Sequence, residues 1–438
     1  MILRLLAPLA AALALLLPAT PAAAQLTPVE QAMTRTIDAE QERTIAMLEK
    51  WVNQNSGTMN HAGVEAVSRM LRAELEPLGF AVEWIDMTAA NRAGHIVARH
   101  SGNGRGKRML LIGHLDTVFE PDSSFQRWER RGDWAVGPGT VDNKGGMAVM
   151  IAALRAMHRA GTLRNADITV VLTGDEEDAG DPLETSRRDL VASGKWADVA
   201  LDFEGLVRLD GRDMGSVARR SSGSWTVKVT SETGHSSTIF APGTGYGAIY
   251  ELARILDTFR REIGEDKLTY NVGLIGGGER VELDADRIRM QVAGKTNIIA
   301  ATAIARGDLR AIDEAQIERT REKMRAIVAR PLPGTMAQIT FDEDGYPPMA
   351  PTEANRALLR RLNQVNRDMG LPEMGELDPL MRGAADISFV ARDVDGLAGL
   401  GAAGRNTHAE GEAVDIVSIF RQAKRAAILM SRLARERR

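Results

Sequence analysis

The chain has 438 residues, of which 44% are hydrophobic and 26% are charged. This composition excludes a largely disordered or fibrous protein, and the length predicts about two to three domains. The formal charge of −4 arises from 55 basic and 59 acidic side chains, so the sequence has no broad positive field and nucleic acid is not an expected partner.

The first 24 residues predict a secretory signal peptide. One positive charge at Arg4 precedes an apolar stretch that ends in small residues, and cleavage is expected before Gln25. Three prolines in this stretch disfavour the alternative, a membrane anchor. The mature protein is therefore expected to be secreted or periplasmic, without membrane contact. The chain contains no cysteine, so disulfides and thiolate ligands are excluded.

The first half of the chain alternates short apolar runs with segments of helical period. The runs Met109–Ile112 and Ile168–Leu172 predict buried strands, and Met147–Met157 between them predicts a helix. We therefore predict an α/β fold with a mainly parallel sheet. Polar residues begin where each strand ends, which is where ligand sites lie in such sheets.

From Ser216 the pattern changes to that of a smaller α+β domain, because Trp225, Val227 and Val229 alternate with polar residues. The segments that follow predict helix, strand, strand, helix and strand, an order close to a ferredoxin-like domain: Gly247–Ile263, Leu268–Leu274, Thr302–Leu309, Glu314–Val328 and Ala337–Phe341. A proline-rich return linker and a last amphipathic helix complete the first domain. The predicted division is thus residues 25–215 with 345–438, and 216–344 inserted between them.

Histidine and carboxylate side chains follow the predicted strands. Zinc and similar divalent ions bind such side chains, and catalytic sites leave one coordination position open for water. The candidates in chain order are His114 and Asp116 in GHLDTV, Asp142 in GPGTVDNKGG, Glu176 and Glu177 in GDEED, Glu204 in VALDFE, and His408 in NTHAEGE. Alone, each has a common structural interpretation, such as a core histidine, a capping aspartate or a solvated acidic turn.

Seven motifs in one order carry a more specific signal: GHLDTV, GPGTVDNKGG, GDEE, DFE, TGHSS, TNII and NTHAEGE. In this order they resemble the zinc-dependent aminoacylase and carboxypeptidase family, which includes a bacterial glutamate (folate-cleaving) carboxypeptidase. The resemblance covers nearly the whole mature chain. It implies an exported zinc hydrolase that cleaves a peptide or amide bond next to a free carboxylate, with a catalytic zinc domain and an inserted lid and dimerisation domain.

The resemblance implies two zinc ions in each chain. His114 and Glu204 would bind one ion, Glu177 and His408 would bind the other, and Asp142 would bridge both. Two such ions make water acidic enough to attack near neutral pH.

Two further acids would assist the reaction. The resemblance implies that Asp116 orients His114 and that Glu176 is the general base, which takes a proton from the attacking water and delivers it to the leaving nitrogen. The residues alone leave Asp202 as a rival to Glu204 for the strand-end ligand. The position that the family uses favours the glutamate.

The inserted domain contributes three candidates by the same resemblance, and it is implied to pair into a homodimer. His235 in TGHSS would reach the partner's active site and stabilise the oxyanion. Asn297 in TNII and Arg310 would hold the carboxylate of the substrate, a task that suits a guanidinium. The structural alternatives are an exposed loop histidine and a surface arginine on a strand.

The sequence departs from the family where substrate is chosen. RGAAD at residues 382–386 replaces a glycine-rich loop, and Asp342, Glu343 and Asp344 stand where folate-cleaving members carry basic residues, which disfavours an acidic substrate side chain. The expected substrate is a small peptide or an N-acyl amino acid. An aminoacylase or dipeptidase with the same zinc chemistry is the first alternative, and a non-catalytic periplasmic binding protein is a remote one.

Overall fold

The computed structural model describes residues 25–438, so the predicted signal peptide lies outside the described part. The helices of this part are α1 (Pro28–Ala39), α2 (Gln41–Val52), α3 (His61–Leu75), α4 (Lys144–Arg159), α5 (Leu183–Trp196), α6 (Gly247–Glu262), α7 (Glu314–Val328), α8 (Glu353–Asp368) and α9 (Ile416–Leu433). Thr27 and Glu30 form a capping box at the start of α1, and Asp415 caps α9. None of the helices in residues 25–438 is long and apolar enough to cross a bilayer.

The strands of the described residues, in chain order, are β1 (Ala81–Asp86), β2 (Gly94–His100), β3 (Arg108–His114), β4 (Glu129–Arg131), β5 (Trp134–Val136), β6 (Asp167–Thr173), β7 (Val199–Asp202), β8 (Arg208–Leu209), β9 (Arg212–Gly215), β10 (Gly223–Ser231), β11 (Thr269–Tyr270), β12 (Leu274–Gly278), β13 (Arg280–Leu283), β14 (Met290–Ala293), β15 (Thr302–Arg310), β16 (Thr335–Phe341), β17 (Gly375–Glu376), β18 (Gly396–Leu397), β19 (Gly404–Arg405) and β20 (Ala413–Asp415). We call residues 223–341 the small domain and the remaining described residues the large domain.

The large domain is built on a six-stranded sheet with the order β1-β2-β6-β3-β7-β18. Strands β6, β3, β7 and β18 run parallel to one another. At one edge of the sheet, β2 pairs antiparallel with β6, and β1 pairs antiparallel with β2. Successive residues of β3 contribute to different cores: Met109 and Leu111 pack in the core that contains α4, and Leu110 and Ile112 pack with Leu190 of α5. Both faces of the sheet are therefore buried, which explains the continuous apolar runs of its strands.

The small domain has its own sheet and its own core. Strands β11, β15, β10 and β16 pair antiparallel in that order, and β12 also pairs with β15. Trp225 lies at the centre of the core, with its ring edge-on to Phe259 of α6 and its indole N–H donating to the carbonyl of Asp308. The two segments that connect this domain to the large domain lie side by side, since the backbone N–H of Ser222 donates to the carbonyl of Tyr346.

The predicted fold class is confirmed: a mainly parallel α/β sheet carries an inserted α+β domain. The apolar runs predicted as strands lie in β3 and β6, and the helix predicted over Glu314–Val328 has those bounds in α7. The hairpin of β13 and β14 was not predicted. The two strands pair with each other antiparallel, and most of their residues are exposed, so no apolar alternation marks them.

Candidate metal centre

Three parallel strands bring their polar ends to one edge of the large sheet. His114 is the last residue of β3 and stands in register with Thr173 at the end of β6. The acidic segment with Glu176 and Glu177 directly follows β6, and Glu204 follows β7. Because the strands run parallel, residues far apart in sequence meet at this edge.

A glycine-rich turn brings Asp142 to the same edge. Gly139 adopts a left-handed conformation at φ +74°, and at Gly146 a Cβ atom would stand 1.9 Å from the carbonyl oxygen of Phe203. Glycine is therefore required where the start of α4 contacts the backbone that leads to Glu204. The side chain of Glu412 fixes the turn, because its Oε1 accepts the backbone N–H groups of Val141 at 2.7 Å and Asp142 at 3.1 Å.

His408 reaches the centre from the loop between β19 and β20. Asn406 and His408 have φ angles of +58° and +63°, a left-handed conformation that non-glycine residues rarely adopt. Such backbone conformations are concentrated at functional sites, where the surrounding structure maintains them. The His408 side chain is 54% exposed and forms the open side of the cluster.

The two carboxylate oxygens of Asp142 face two different histidines. Oδ1 lies 2.9 Å from Nε2 of His114, and Oδ2 lies 3.0 Å from Nε2 of His408. On the first side, Glu204 Oε1 is 3.1 Å from His114 Nε2, and on the second side, Glu177 Oε2 is 3.1 Å from His408 Nε2. The five side chains thus form two three-residue groups that share Asp142.

The donor set fits two divalent metal ions. Ligand atoms about 2.0–2.1 Å from a tetrahedral zinc ion lie about 3.3 Å apart, close to the separations in both groups. Oε1 of Glu177 is buried and has no hydrogen-bond partner in the described chain, as expected of an oxygen that a cation would satisfy. Burial raises the pKa of Glu177 to about 7. The hydrogen bond from His408 lowers this pKa, whereas the negative charge of Asp142 raises it further. A cation would relieve this concentration of carboxylates.

Asp116 connects His114 of the first group to the acidic loop that carries Glu177 of the second group. Its Oδ1 lies 3.3 Å from Nδ1 of His114, the ring nitrogen opposite to the one that faces Asp142. Its two oxygens also accept the backbone N–H groups of Glu176 and Glu177, each at 3.1 Å, and the hydroxyl of Thr58 donates to it at 2.7 Å. Asp116 therefore contacts both the histidine ring and the acidic loop.

The carboxylate of Glu176 lies among these groups but is held by no hydrogen bond within residues 25–438. Burial is the largest cause that raises the pKa of Glu176 well above its usual range, and the charges of Glu204 and Asp386 add to it, whereas that of His114 opposes it. A free carboxyl with a raised pKa is suited to accept and return a proton near neutral pH.

Glu204 and Asp202, the two rivals for one ligand position, have different surroundings. Glu204 approaches His114, whereas Asp202 accepts the backbone N–H of Glu204 and does not reach the histidine. The buried Arg219 lies between the two acids, 3.4 Å from Oδ2 of Asp202 and 3.5 Å from Oε2 of Glu204. Arg382 also approaches Glu204, with 3.4 Å between its Nη2 and Oε2. Neither candidate metal group includes Asp202.

The contacts described for the three candidates of the small domain lie within that domain. His235 is exposed and its Nδ1 contacts the hydroxyl of Ser237, while Asn297 lies beside it, since its carbonyl accepts the N–H of Ser236. Arg310 pairs with Asp308 on its own strand. No hydrogen bond or ion pair among residues 25–438 joins these three side chains to the cluster.

A cleft of about 1130 Å³ extends from Glu176 and Glu177 to the edge of the small domain. The acidic segment that follows β16 lines it, but Asp342 is paired with Arg306 and Arg287. The other two acids of that segment, Glu343 and Asp344, are exposed and form no ion pair within residues 25–438.

Several residues at the centre were not predicted from the sequence, namely Thr58, Arg219, Tyr346, Arg382 and Glu412. Glu412 lies four residues after His408 in NTHAEGE, so its motif was found but its role was not. Arg382 lies in the RGAAD segment, which the sequence marked for substrate choice but not for contact with Glu204. Thr58, Arg219 and Tyr346 contact the site from distant parts of the sequence, and no local pattern marks such contacts.

Comparison with known proteins gives consistent results. The model of peptidase family M20/M25/M40 matches residues 110–435. Carboxypeptidase G2 of Pseudomonas sp. (strain RS-16) is 31% identical over 274 residues, which are 62% of this chain and 60% of that protein. A succinyl-diaminopimelate desuccinylase of Leptothrix cholodnii is 28% identical over 201 residues, 44% of this chain and 51% of the relative. The matched part thus spans between half and three fifths of these two relatives.

A tripeptidase from Staphylococcus aureus has a similar solved structure, with a TM-score of 0.67 and 19% identity over 90% of this chain and 99% of the other. At this identity the likeness concerns the fold.

Proposed function

Because the chain belongs to the peptidase family M20/M25/M40, we propose that it is a dinuclear zinc hydrolase that cleaves a peptide or amide bond next to a free carboxylate, as a carboxypeptidase does. Membership makes the chain a metal-dependent hydrolase, so the alternative of a non-catalytic binding protein does not apply. An aminoacylase or dipeptidase with the same zinc chemistry remains the second candidate.

The observation that carries the proposal is the position of Asp142. Its two oxygens face His114 and His408 at 2.9 and 3.0 Å, and each of these histidines faces a further carboxylate, Glu204 or Glu177. One carboxylate between two histidine–carboxylate pairs is the arrangement expected of a bridging ligand. When bound, two divalent ions lower the pKa of water and polarise the scissile carbonyl.

Glu176 performs the proton transfers in this proposal. No hydrogen bond within the described residues holds its carboxylate, and the charges of His114, Glu204 and Glu177 act on it, so it can accept a proton from the attacking water. The same carboxyl then donates that proton to the nitrogen of the leaving amine. Asp116 keeps His114 in the tautomer that directs a lone pair from Nε2 towards Asp142 and Glu204, since it lies at Nδ1.

The small domain is proposed to act as a lid and to pair two chains into a homodimer. His235 is exposed, and its side chain forms no hydrogen bond or ion pair with the five-residue cluster within residues 25–438, which leaves it available for a role in the partner's active site. There its imidazole would stabilise the developing oxyanion, and Asn297 and Arg310 would hold the carboxylate of the substrate. Sedimentation of the purified protein tests the dimer directly.

The cleft beside Glu176 supports a preference for substrates without an acidic side chain. Exposed carboxylates of Asp181, Glu184, Glu343 and Asp344 line it, and Arg287, its basic residue, is already paired with Asp342. A second carboxylate on the substrate would meet uncompensated negative charge there. Export through the predicted signal peptide belongs to the same proposal and would place the reaction outside the cytoplasm.

Hydrolysis by the mature protein (residues 25–438) tests the activity. Dipeptides, tripeptides and N-acyl amino acids should be offered with free or amidated carboxyl ends, with chelator, and again after zinc is restored. We expect chelator-sensitive cleavage that requires the free carboxylate. Cleavage of amidated substrates at the same rate would refute the carboxypeptidase-like activity, and activity that persists in chelator would refute the zinc mechanism.

A pair of isosteric variants tests the general base. Glu176→Gln should retain zinc and the fold but lose nearly all turnover. Glu184→Gln removes one carboxylate from the same cleft at an exposed position and should leave turnover close to that of the native protein. Native rates in Glu176→Gln would refute the assignment.

A further inference from the structure

The peptide backbone at Glu176 is held from both sides. Its N–H donates to Oδ1 of Asp116 at 3.1 Å, and its carbonyl accepts the phenolic hydroxyl of Tyr346 at 2.6 Å. No hydrogen bond within residues 25–438 holds the carboxylate itself. The two backbone contacts therefore fix the position of the main chain from which the Glu176 side chain extends. The contact with Asp116 also involves the side chain of the candidate ligand His114. The contact with Tyr346 involves no ligand side chain, although the carbonyl that it holds lies in the peptide bond to Glu177.

Tyr346 is in turn fixed by a buried arginine. Nη2 of Arg187 donates to the Tyr346 hydroxyl at 2.9 Å, and the guanidinium lies 5.7 Å from the centre of the tyrosine ring. Arg187 pairs with Asp175 at 2.5 Å and with Asp386 at 2.9 Å, and all three of these charged side chains are buried. Phe389 completes the enclosure, with its ring centre 4.8 Å from that of Tyr346. The hydroxyl is therefore oriented towards the Glu176 carbonyl by a preformed network.

Tyr346 also lies where the chain returns from the small domain. Its carbonyl accepts the N–H of Ser222, the residue that precedes β10, and β16 ends five residues before it at Phe341. The neighbouring Gly345 packs so closely on this crossing that a Cβ would meet the Ser222 carbonyl at 2.3 Å. The residue that holds the Glu176 backbone is thus part of the connection between the two domains.

We propose that Tyr346 is a positioning residue for Glu176, and that through it the attachment of the small domain sets the location of the general base. This inference rests on the proposed function, in which Glu176 transfers the proton. Tyr346 does not take part in the chemistry, since its hydroxyl is engaged with the Glu176 carbonyl and Arg187. Its loss would leave metal and substrate binding intact but misplace the carboxylate relative to the attacking water.

Tyr346→Phe is the direct test, because it removes one oxygen and keeps the ring between Arg187 and Phe389. Tyr270→Phe is a matched control: the Tyr270 hydroxyl likewise donates to a backbone carbonyl, that of Phe259 at 2.9 Å, but inside the small domain. For both variants, kcat and KM should be measured on the best substrate of the panel. Zinc content and the folded fraction should be determined on the same samples.

We expect Tyr346→Phe to lower kcat about 10- to 100-fold per folded, zinc-loaded molecule, with KM within about twofold of the native value. Tyr270→Phe should leave both parameters unchanged. An unchanged kcat in Tyr346→Phe would overturn the inference. So would a rise in KM alone, which would indicate a substrate contact, or a rate loss that merely parallels the loss of folded or zinc-loaded protein.

The same series separates this inference from the function on which it rests. If Glu176→Gln turns over at the native rate, the proposed base fails whatever Tyr346→Phe does. If Glu176→Gln is inactive and Tyr346→Phe is fully active, the base stands and the positioning role fails.

Discussion

The hydrogen bonds from Glu412 to the turn of Asp142 give a prediction whose magnitude follows from the structure. Glu412 is buried, and its Oε1 accepts the N–H groups of Val141 and Asp142. Glu412→Ala would leave both buried donors unpaired, and each costs about 1–3 kcal/mol. We therefore expect the free energy of unfolding to fall by about 2–6 kcal/mol.

Glu412→Gln is the matched control for this change. Burial, followed by the charge of Asp142, raises the pKa of Glu412 to about 8, so the neutral amide resembles its state at pH 7. Because the amide oxygen still accepts both N–H groups, the loss should stay below about 1.5 kcal/mol.

Urea unfolding of the metal-free variants measures both changes, and competition with a zinc chelator measures affinity. Since Asp142 belongs to both metal groups, Glu412→Ala should weaken both sites, by about 10- to 100-fold. A change under about 0.5 kcal/mol in Glu412→Ala, typical of a surface position, would refute the reasoning. Equal losses of unfolding free energy in Glu412→Ala and Glu412→Gln would also refute it, because the side-chain oxygen that accepts the two N–H groups would then contribute nothing.

Three further predictions concern pH, the oxyanion and the small domain. Hydrogen bonds to Asp142 and Glu177 raise the pKa of His408 to about 11, so below that pH the metal-free site holds a proton that zinc must displace. Calorimetric zinc affinity should thus rise about tenfold per pH unit between about pH 6 and 9 for each proton released, and a pH-independent affinity would contradict this. His235→Ala should lower kcat without changing the melting temperature, and an unaffected kcat would leave it an ordinary loop residue. Trp225→Ala should lower the free energy of unfolding, measured by thermal denaturation, by about 3–5 kcal/mol. Zinc should stay bound, because the small domain has a separate core, and a loss below about 1 kcal/mol would contradict the central packing of Trp225.

The elements that the sequence predicted best are those whose own residues carry the signal. Strands β3 and β6 are buried on both faces, so they appear as continuous apolar runs. Helix α7 begins at Glu314, directly after Asp313, whose side chain caps it. The β13–β14 hairpin was missed because its stability comes from pairing between two exposed strands, which leaves no apolar period.

The candidate site divides in the same way. The five proposed ligands follow strands or glycine-rich turns within recognisable motifs, so their meeting at one sheet edge could be anticipated. The roles of Tyr346 and Arg187 could not, because they depend on contacts between residues 159 and 170 positions apart. The sequence grouped Asp342 with Glu343 and Asp344 as acids that disfavour an acidic substrate side chain. In the structure Asp342 pairs with Arg306 of β15 and with Arg287 of the hairpin, contacts that no local pattern marks.

The zinc content of four proteins tests most directly whether Asp142 bridges two ions. The mature native chain, Glu177→Ala, Glu204→Ala and Asp142→Ala should be loaded with zinc, freed of excess metal and assayed by elemental analysis, with folding checked by circular dichroism. The arrangement of the two groups predicts two ions in the native chain, one in each glutamate variant and almost none in folded Asp142→Ala. Equal zinc in Asp142→Ala and the glutamate variants, or a single ion in the native chain, would contradict the shared ligand.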